Sequence, residues 1–257
     1  MRFASLGSGS RGNATLVEAG ATRLLVDCGF SCIEVEKRLA RLGCEAAQLD
    51  AILVTHEHSD HIGGVERLAR KYGLGAWMTP GTAAAARIGD PAVVRHFSSH
   101  EPFAIGDLEI HPLPVPHDAR EPCQFVFSDG RCRTGLLTDV GSITSHMLRS
   151  LQALDALVLE CNHDPRMLAD GPYPPRLKAR VGGDYGHLSN AQAAGLLGRL
   201  DLGRLQHLVA AHLSEKNNRP ALARAALAPV LGCREAEVEV AGQDSGFGWR
   251  ELRPTPL

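Results

Sequence analysis

Apolar residues recur along this chain at two periods, and the switches between them divide it into strands and helices. Short apolar runs bounded by Gly, Asp or Asn predict strands over residues 2–6, 14–18, 23–26 and 51–54. From Ser31 the period turns helical, with Ile33, Val35, Leu39 and Leu42 on one side of a helix that begins at Ser31 or Cys32. A helix over 65–72, a strand over 76–78 and a helix running from Pro80 to Ala86 come next. The chain therefore opens as a β-meander and passes into α/β alternation, which supplies helices to cover a sheet face.

Short strands and turns fill residues 93–115, followed by predicted strands at 124–128 and 134–137, a helix at 144–151 and a strand at 156–160. A Pro- and Gly-rich connection (171–175) and a basic stretch (176–180) lead to a helix at 191–200, a strand at 205–210, a helix near 220–227 and strands around Val238 and Phe247. Leu136-Leu137-Thr138-Asp139-Val140-Gly141 repeats the design of Leu24-Leu25-Val26-Asp27-Cys28-Gly29, an apolar strand closed by Asp-x-Gly. That echo predicts two similar β/α halves meeting near residue 130. No linker or low-complexity tract separates them, so one domain over 1–257 is expected.

Composition narrows the partners rather than the fold. A chain of 257 residues with a formal net charge of −2 has no global basic field, so a polyanion would have to be gripped locally. The N-terminus lacks the apolar core of a signal peptide and no apolar run is long enough to span a bilayer, so a cytoplasmic protein with no membrane partner is expected. The seven cysteines are scattered, with no Cys-x-x-Cys pair, and read as reduced core residues rather than a disulfide framework.

Chemistry concentrates at Thr55-His56-Glu57-His58-Ser59-Asp60-His61, directly after the apolar run 51–54. If the strand ends near Thr55, His56 and His58 point to the same side, while Asp60 and His61 begin the next turn and can reach a second ion. Gly63 and Gly64 then let the backbone turn closely into a helix. His117, just after Pro114 and Pro116, Asp139 and His212 stand likewise at or after the ends of extended runs. Seven nitrogen and oxygen ligands with no thiolate, His56, His58, Asp60, His61, His117, Asp139 and His212, suit a two-metal centre of Zn, Mn or Fe.

The His-x-His-x-Asp-His pattern at a strand end resembles the metallo-β-lactamase superfamily. The resemblance implies an α/β fold built as a four-layer αββα sandwich with two divalent metal ions at one edge. It assigns His56, His58 and His117 to the first metal, Asp60, His61 and His212 to the second, and Asp139 to the bridge. Asp60 is also a candidate catalytic carboxylate, and Asp27 would support the ligands from behind. Zinc β-lactamases lack the bridging Asp and are exported, which sets this chain apart from them. Gly186-His187-Leu188-Ser189 and Ala211-His212-Leu213-Ser214 look like the late motifs of ribonuclease Z-like phosphodiesterases. There the extra histidine, His187 here, would protonate the leaving oxygen or stabilise its charge.

A finer resemblance is to the bacterial YycJ (WalJ) family. It is carried by Gly7-Ser8-Gly9-Ser10 with Gly12-Asn13, Leu159-Glu160-Cys161-Asn162-His163-Asp164, Tyr173-Pro174-x-x-Leu177-Lys178-x-Arg180, Gly186 to Asn190, and His212-Leu213-Ser214-x-x-Asn217-Asn218. It implies a metal-dependent nuclease, an exonuclease on double-stranded DNA with a part in mismatch repair, so DNA is expected ahead of RNA. Arg176, Lys178, Arg180 and Lys216 are the candidates for backbone phosphates, with Ser189 and Asn217 as further substrate contacts. No aromatic interleaving supports base reading, and no long inserted arm grasps tRNA. A cyclic or other small-molecule phosphodiesterase and a ribonuclease Z-like RNA processor stay open as alternatives, as does assembly into a homo-oligomer.

Overall fold

In the structure, a computed structural model that describes residues 1–254, the first six strands lie in one sheet: β1 (Arg2–Gly7), β2 (Ala14–Ala19), β3 (Thr22–Val26), β4 (Ala51–Leu53), β5 (Gly75–Met78) and β6 (Val94–His96). The next seven make the second: β7 (Phe103–Ile105), β8 (Leu108–Pro114), β9 (Cys123–Ser128), β10 (Arg133–Leu137), β11 (Ala156–Glu160), β12 (His207–Ala211) and β13 (Glu239–Val240). The last strand, β14 (Phe247–Glu251), returns to pair antiparallel with β1. The helices are α1 (Cys32–Arg41), α2 (Ser59–Ile62), α3 (Val65–Tyr72), α4 (Pro80–Ala86), α5 (Ser145–Ser150), α6 (Pro165–Asp170), α7 (Pro175–Val181), α8 (Asn190–Leu197) and α9 (Pro220–Leu231).

Each sheet is antiparallel on one side and parallel on the other, with the change at β3 in the first and at β10 in the second. The two Asp-x-Gly strands therefore hold equivalent places, as their sequence echo predicts. The changeover between sheets, however, falls between His96 and Phe103, well upstream of residue 130. The echo marks the third strand of the second repeat, and that repeat has already begun with the hairpin β8–β9.

Period-2 alternation sorts the side chains into layers. Leu24, Val26 and Leu53 face inward to meet Phe125, Phe127, Leu136 and Val158 of the other sheet. Leu25, Ile52 and Val54 face outward against Val35 and Leu39 of α1 and Leu68 of α3. Leu137, Leu157 and Leu159 do the same beneath α5, α8 and α9, packing on Met147, Leu196 and Leu227. The result is the αββα sandwich. Ile33 departs from the predicted apolar side of α1; it is 63% exposed, and Cys32 turns inward instead. All seven cysteines are free, and among the described residues no helix is long and apolar enough to cross a membrane.

Two backbone approaches lock the histidine loop to the first sheet. Cys28 N donates to His61 O at 2.7 Å, and Gly64 N donates to Cys28 O at 2.7 Å. A Cβ on Gly29 would collide with the carbonyl of Asp60, and one on Gly64 with the carbonyl of Phe30. Gly29→Ala is expected to destabilise the protein by about 1–3 kcal/mol, read as a lower denaturation midpoint, because the obstacle is backbone and cannot swing away.

Candidate metal centre and cleft

Every predicted ligand is delivered by the end of a strand or the turn after it. Thr55 to His58 bridge β4 and α2, with His58 as the N-cap, and Asp60 and His61 lie in the first turn of α2. His117 follows β8, Asp139 follows β10 and His212 follows β12. Asp27, Asp139 and His212 have φ of 60°, 55° and 55°, the left-handed region that non-glycine residues rarely occupy. Each such residue costs of order 1–3 kcal/mol unless its surroundings hold it, and here all three turn a strand end toward one point.

The side chains form two adjoining groups with Asp139 between them. His56 Nε2 lies 3.0 Å from His58 Nδ1, which lies 3.3 Å from His117 Nε2. Asp60, His61 and His212 make the second group, with Asp60 Oδ2 3.5 Å from His61 Nε2 and 3.7 Å from His212 Nε2. Asp139 stands between them, its Oδ2 3.1 Å from His61 Nε2 and its Oδ1 3.7 Å from both His117 Nε2 and His212 Nε2.

This donor set fits divalent cations. Tetrahedral zinc holds imidazole nitrogens at about 2.0–2.1 Å, which sets them roughly 3.3 Å apart, close to the His56–His58–His117 spacing. Asp139 Oδ2 and His212 Nε2 are buried with no hydrogen-bond partner among the described residues, although both face the common centre.

The opposite ring nitrogens are held by the protein. Asp27 accepts from His61 Nδ1 at 2.8 Å and from Thr55 N at 2.8 Å, so it bridges the β4 end to the α2 histidine. His117 Nδ1 donates to Gly186 O at 3.0 Å. Glu160, wholly buried at the end of β11, accepts from His187 Nδ1 at 2.8 Å, from His212 Nδ1 at 3.1 Å and from the backbone of Asp139, Val140 and Leu188. Such contacts fix the tautomer and aim the free nitrogen at the centre.

Glu160 was not among the predicted site residues. The signal was present: it closes the apolar run 156–159 as Asp27 and Asp139 close theirs. Asn13, whose Nδ2 lies 3.1 Å from His61 Nε2, and Ser8, which accepts from His212 N at 2.9 Å, come from the β1–β2 loop and carry no such strand-end signal.

Charge balance divides the imidazoles. Burial, with neighbouring His61, pushes His56 well below the usual histidine range, and burial lowers His117 too, so both favour the neutral, ligating form. Burial also acts on His61 and His212, but Asp139 with Asp27, Asp60 and Glu160 overcomes it and raises both. Against its own burial, Asp139 is held well below the carboxylate range by His212 and His61. The second group thus holds protons where a cation would supply the positive charge.

The centre opens into a cleft of about 340 Å³ lined by His58, Asp60, Asp139, His187 and His212 on one side and Tyr173, Leu177, Arg180 and Val181 on the other. His187 stands 3.6 Å from Asp139 Oδ1 through its Nδ1. Of the candidate substrate contacts, Arg180 alone lines this cleft. Arg176 and Lys216 are exposed elsewhere, and Lys178 Nζ donates to Ala169 O. Ser189 is buried as the N-cap of α8, its hydroxyl accepting from Gln192 N at 3.2 Å, and Asn217 is buried against Ser214. The sequence run 171–180, read as a connection and a basic stretch, contains most of α7, a helix that walls the cleft.

Fold and centre together define a metallo-β-lactamase-type protein: residues 22–212 match the Beta-lactamase superfamily domain. The chain is 36% identical over 252 residues to the exodeoxyribonuclease YycJ of Bacillus anthracis, covering 96% of this chain and 91% of that one. It is 37% identical over 228 residues to the exodeoxyribonuclease WalJ of Streptococcus pneumoniae, covering 86% and 85%. It belongs to the YycJ/WalJ family of that superfamily. The metallo-β-lactamase fold protein YhfI of Bacillus subtilis shares the fold, with a TM-score of 0.74 at 19% identity over 97% of this chain and 99% of that one.

Because His61 and His212 must surrender protons for a cation to bind, metal affinity is expected to weaken as pH falls from 8 to 6. Calorimetry in buffers of different protonation enthalpy should show protons released on binding; heats independent of buffer would contradict this.

Proposed function

We propose that this protein is a two-metal exonuclease that hydrolyses phosphodiester bonds of double-stranded DNA. The observation that carries the substrate is the 36–37% identity, over most of the chain, to relatives named as exodeoxyribonucleases. The grouping of His56, His58 and His117, of Asp60, His61 and His212, and of Asp139 between them supports two cations, drawn from Zn, Mn or Fe. Bound there, the cations would generate hydroxide near neutral pH and hold negative charge on the phosphate.

The chain's own residues supply the rest. Asp139 faces both groups and would hold them in register. Asp60 turns Oδ2 to His61 and His212, which leaves Oδ1 to accept the proton of the attacking water. Glu160 takes up His187 Nδ1, so Nε2 is the atom left to serve the cleft. Burial opposes a charge on His187, but Glu160 raises its affinity for protons, which suits a donor. As the bond from phosphorus to the water oxygen forms, the bond to the sugar oxygen breaks, and His187 Nε2 gives that oxygen its proton. The same reading places the protein in the cytoplasm, where its seven free cysteines would stay reduced.

With Mn or Zn restored, the protein is expected to shorten end-labelled linear duplex DNA from one end, and a His58→Ala control to leave it intact. Hydrolysis of bis-p-nitrophenyl phosphate without any cutting of DNA would reject the substrate assignment. His187→Ala is expected to lower kcat by about 10²–10⁴-fold with metal content unchanged. Loss of metal in that variant would make His187 a ligand instead.

A further inference from the structure

Among the described residues, the Arg180 side chain is tied into the cleft by one polar contact. Its Nε donates to Asp118 Oδ2, while its side chain stays 56% exposed and Nη1 and Nη2 have no hydrogen-bond partner among the described residues. Asp118 divides its oxygens: Oδ2 takes Arg180, and Oδ1 faces His117 Nε2 at 3.5 Å and His58 Nε2 at 3.9 Å. One carboxylate therefore sets where the guanidinium stands relative to the first histidine group. The last turn of α7 is also held through the backbone next to Arg180, where His187 N donates to Val181 O at 2.9 Å.

Resting on the nuclease reading, we propose that Asp118 is a positioning residue: it holds Arg180 by Nε so that the free Nη pair takes the DNA phosphate next to the one being cut. A guanidinium held at Nε presents Nη1 and Nη2 as a fork that matches two phosphate oxygens, which a lysine cannot reproduce. The neighbouring Tyr173 and Leu177 give that side of the cleft an apolar wall, against which the attached nucleoside can lie while the phosphate meets the charge. Asp118 itself touches no substrate. Its effect travels through Arg180, and so its loss should act on substrate capture rather than on bond breaking.

The test uses the metal-loaded full chain, the variants Asp118→Asn, Arg180→Gln and their combination, and end-labelled linear duplex DNA over a series of salt concentrations. Arg180→Gln is expected to raise KM about tenfold, as loss of a charge-assisted contact does, with kcat within about threefold of the parent. The slope of log KM against log salt should fall by about one, the mark of one phosphate contact removed. Asp118→Asn should shift KM and the salt slope in the same direction, and the double variant should be no worse than Arg180→Gln, since the two act as one unit. Metal per chain should match the parent throughout. An unchanged KM in Asp118→Asn, additive losses in the double variant, or loss of metal on replacing Asp118 would each overturn the proposal while leaving the nuclease reading in place. If the parent leaves duplex DNA uncut, both fall.

Discussion

The buried carboxylate of Asp139 is the constraint on which the rest of the site depends. It is 2% exposed, one of its oxygens has no hydrogen-bond partner among the described residues, and the imidazoles of His61, His117 and His212 converge on it. A carboxylate removed from water to this degree must find positive charge. Without a cation, that charge comes first from protons on His212 and His61, and these two rise while His56 and His117 fall. Asp27 and Glu160 complete the balance from behind, each spending a carboxylate on histidine Nδ1 atoms and on backbone N–H groups.

The sandwich exists to bring these groups together. Each sheet turns from antiparallel to parallel at a strand ending in Asp, and the parallel side sends its strand ends to one edge. Left-handed turns at Asp27, Asp139 and His212 re-aim the side chains there, and the close passage of Gly29 over Asp60 keeps the histidine loop seated. Strand ends thus hold the candidate ligand atoms, while the cleft beside them is walled by α7, a short helix on a longer connection.

What could be read from residues alone follows that division. Strands and most helices were legible because apolar periodicity and strand-ending Asp or Gly report packing locally; the predicted helix over 65–72 has the bounds of α3. The convergence of the seven candidate ligand positions was legible because each combines a ligating residue type with a strand end. Glu160 was missed although it obeys the same rule, because a lone Glu is seldom read as a hydrogen-bond hub. The helices α6 and α7 were missed because prolines at their first turns look like connection, yet Pro165 and Pro175 occupy the helical start that proline favours. Ser189 and Asn217 were misplaced for a different reason: burial and capping depend on neighbours far apart in the chain, which spacing does not reveal.

The central claim is that two cations share Asp139. Anomalous diffraction at the metal absorption edge, from crystals of the metal-loaded protein, tests it most directly. Two peaks about 3.5–4 Å apart are predicted, one among His56, His58 and His117, the other among Asp60, His61 and His212, with the Asp139 carboxylate between them. A single peak, or two that Asp139 does not touch, would contradict the account.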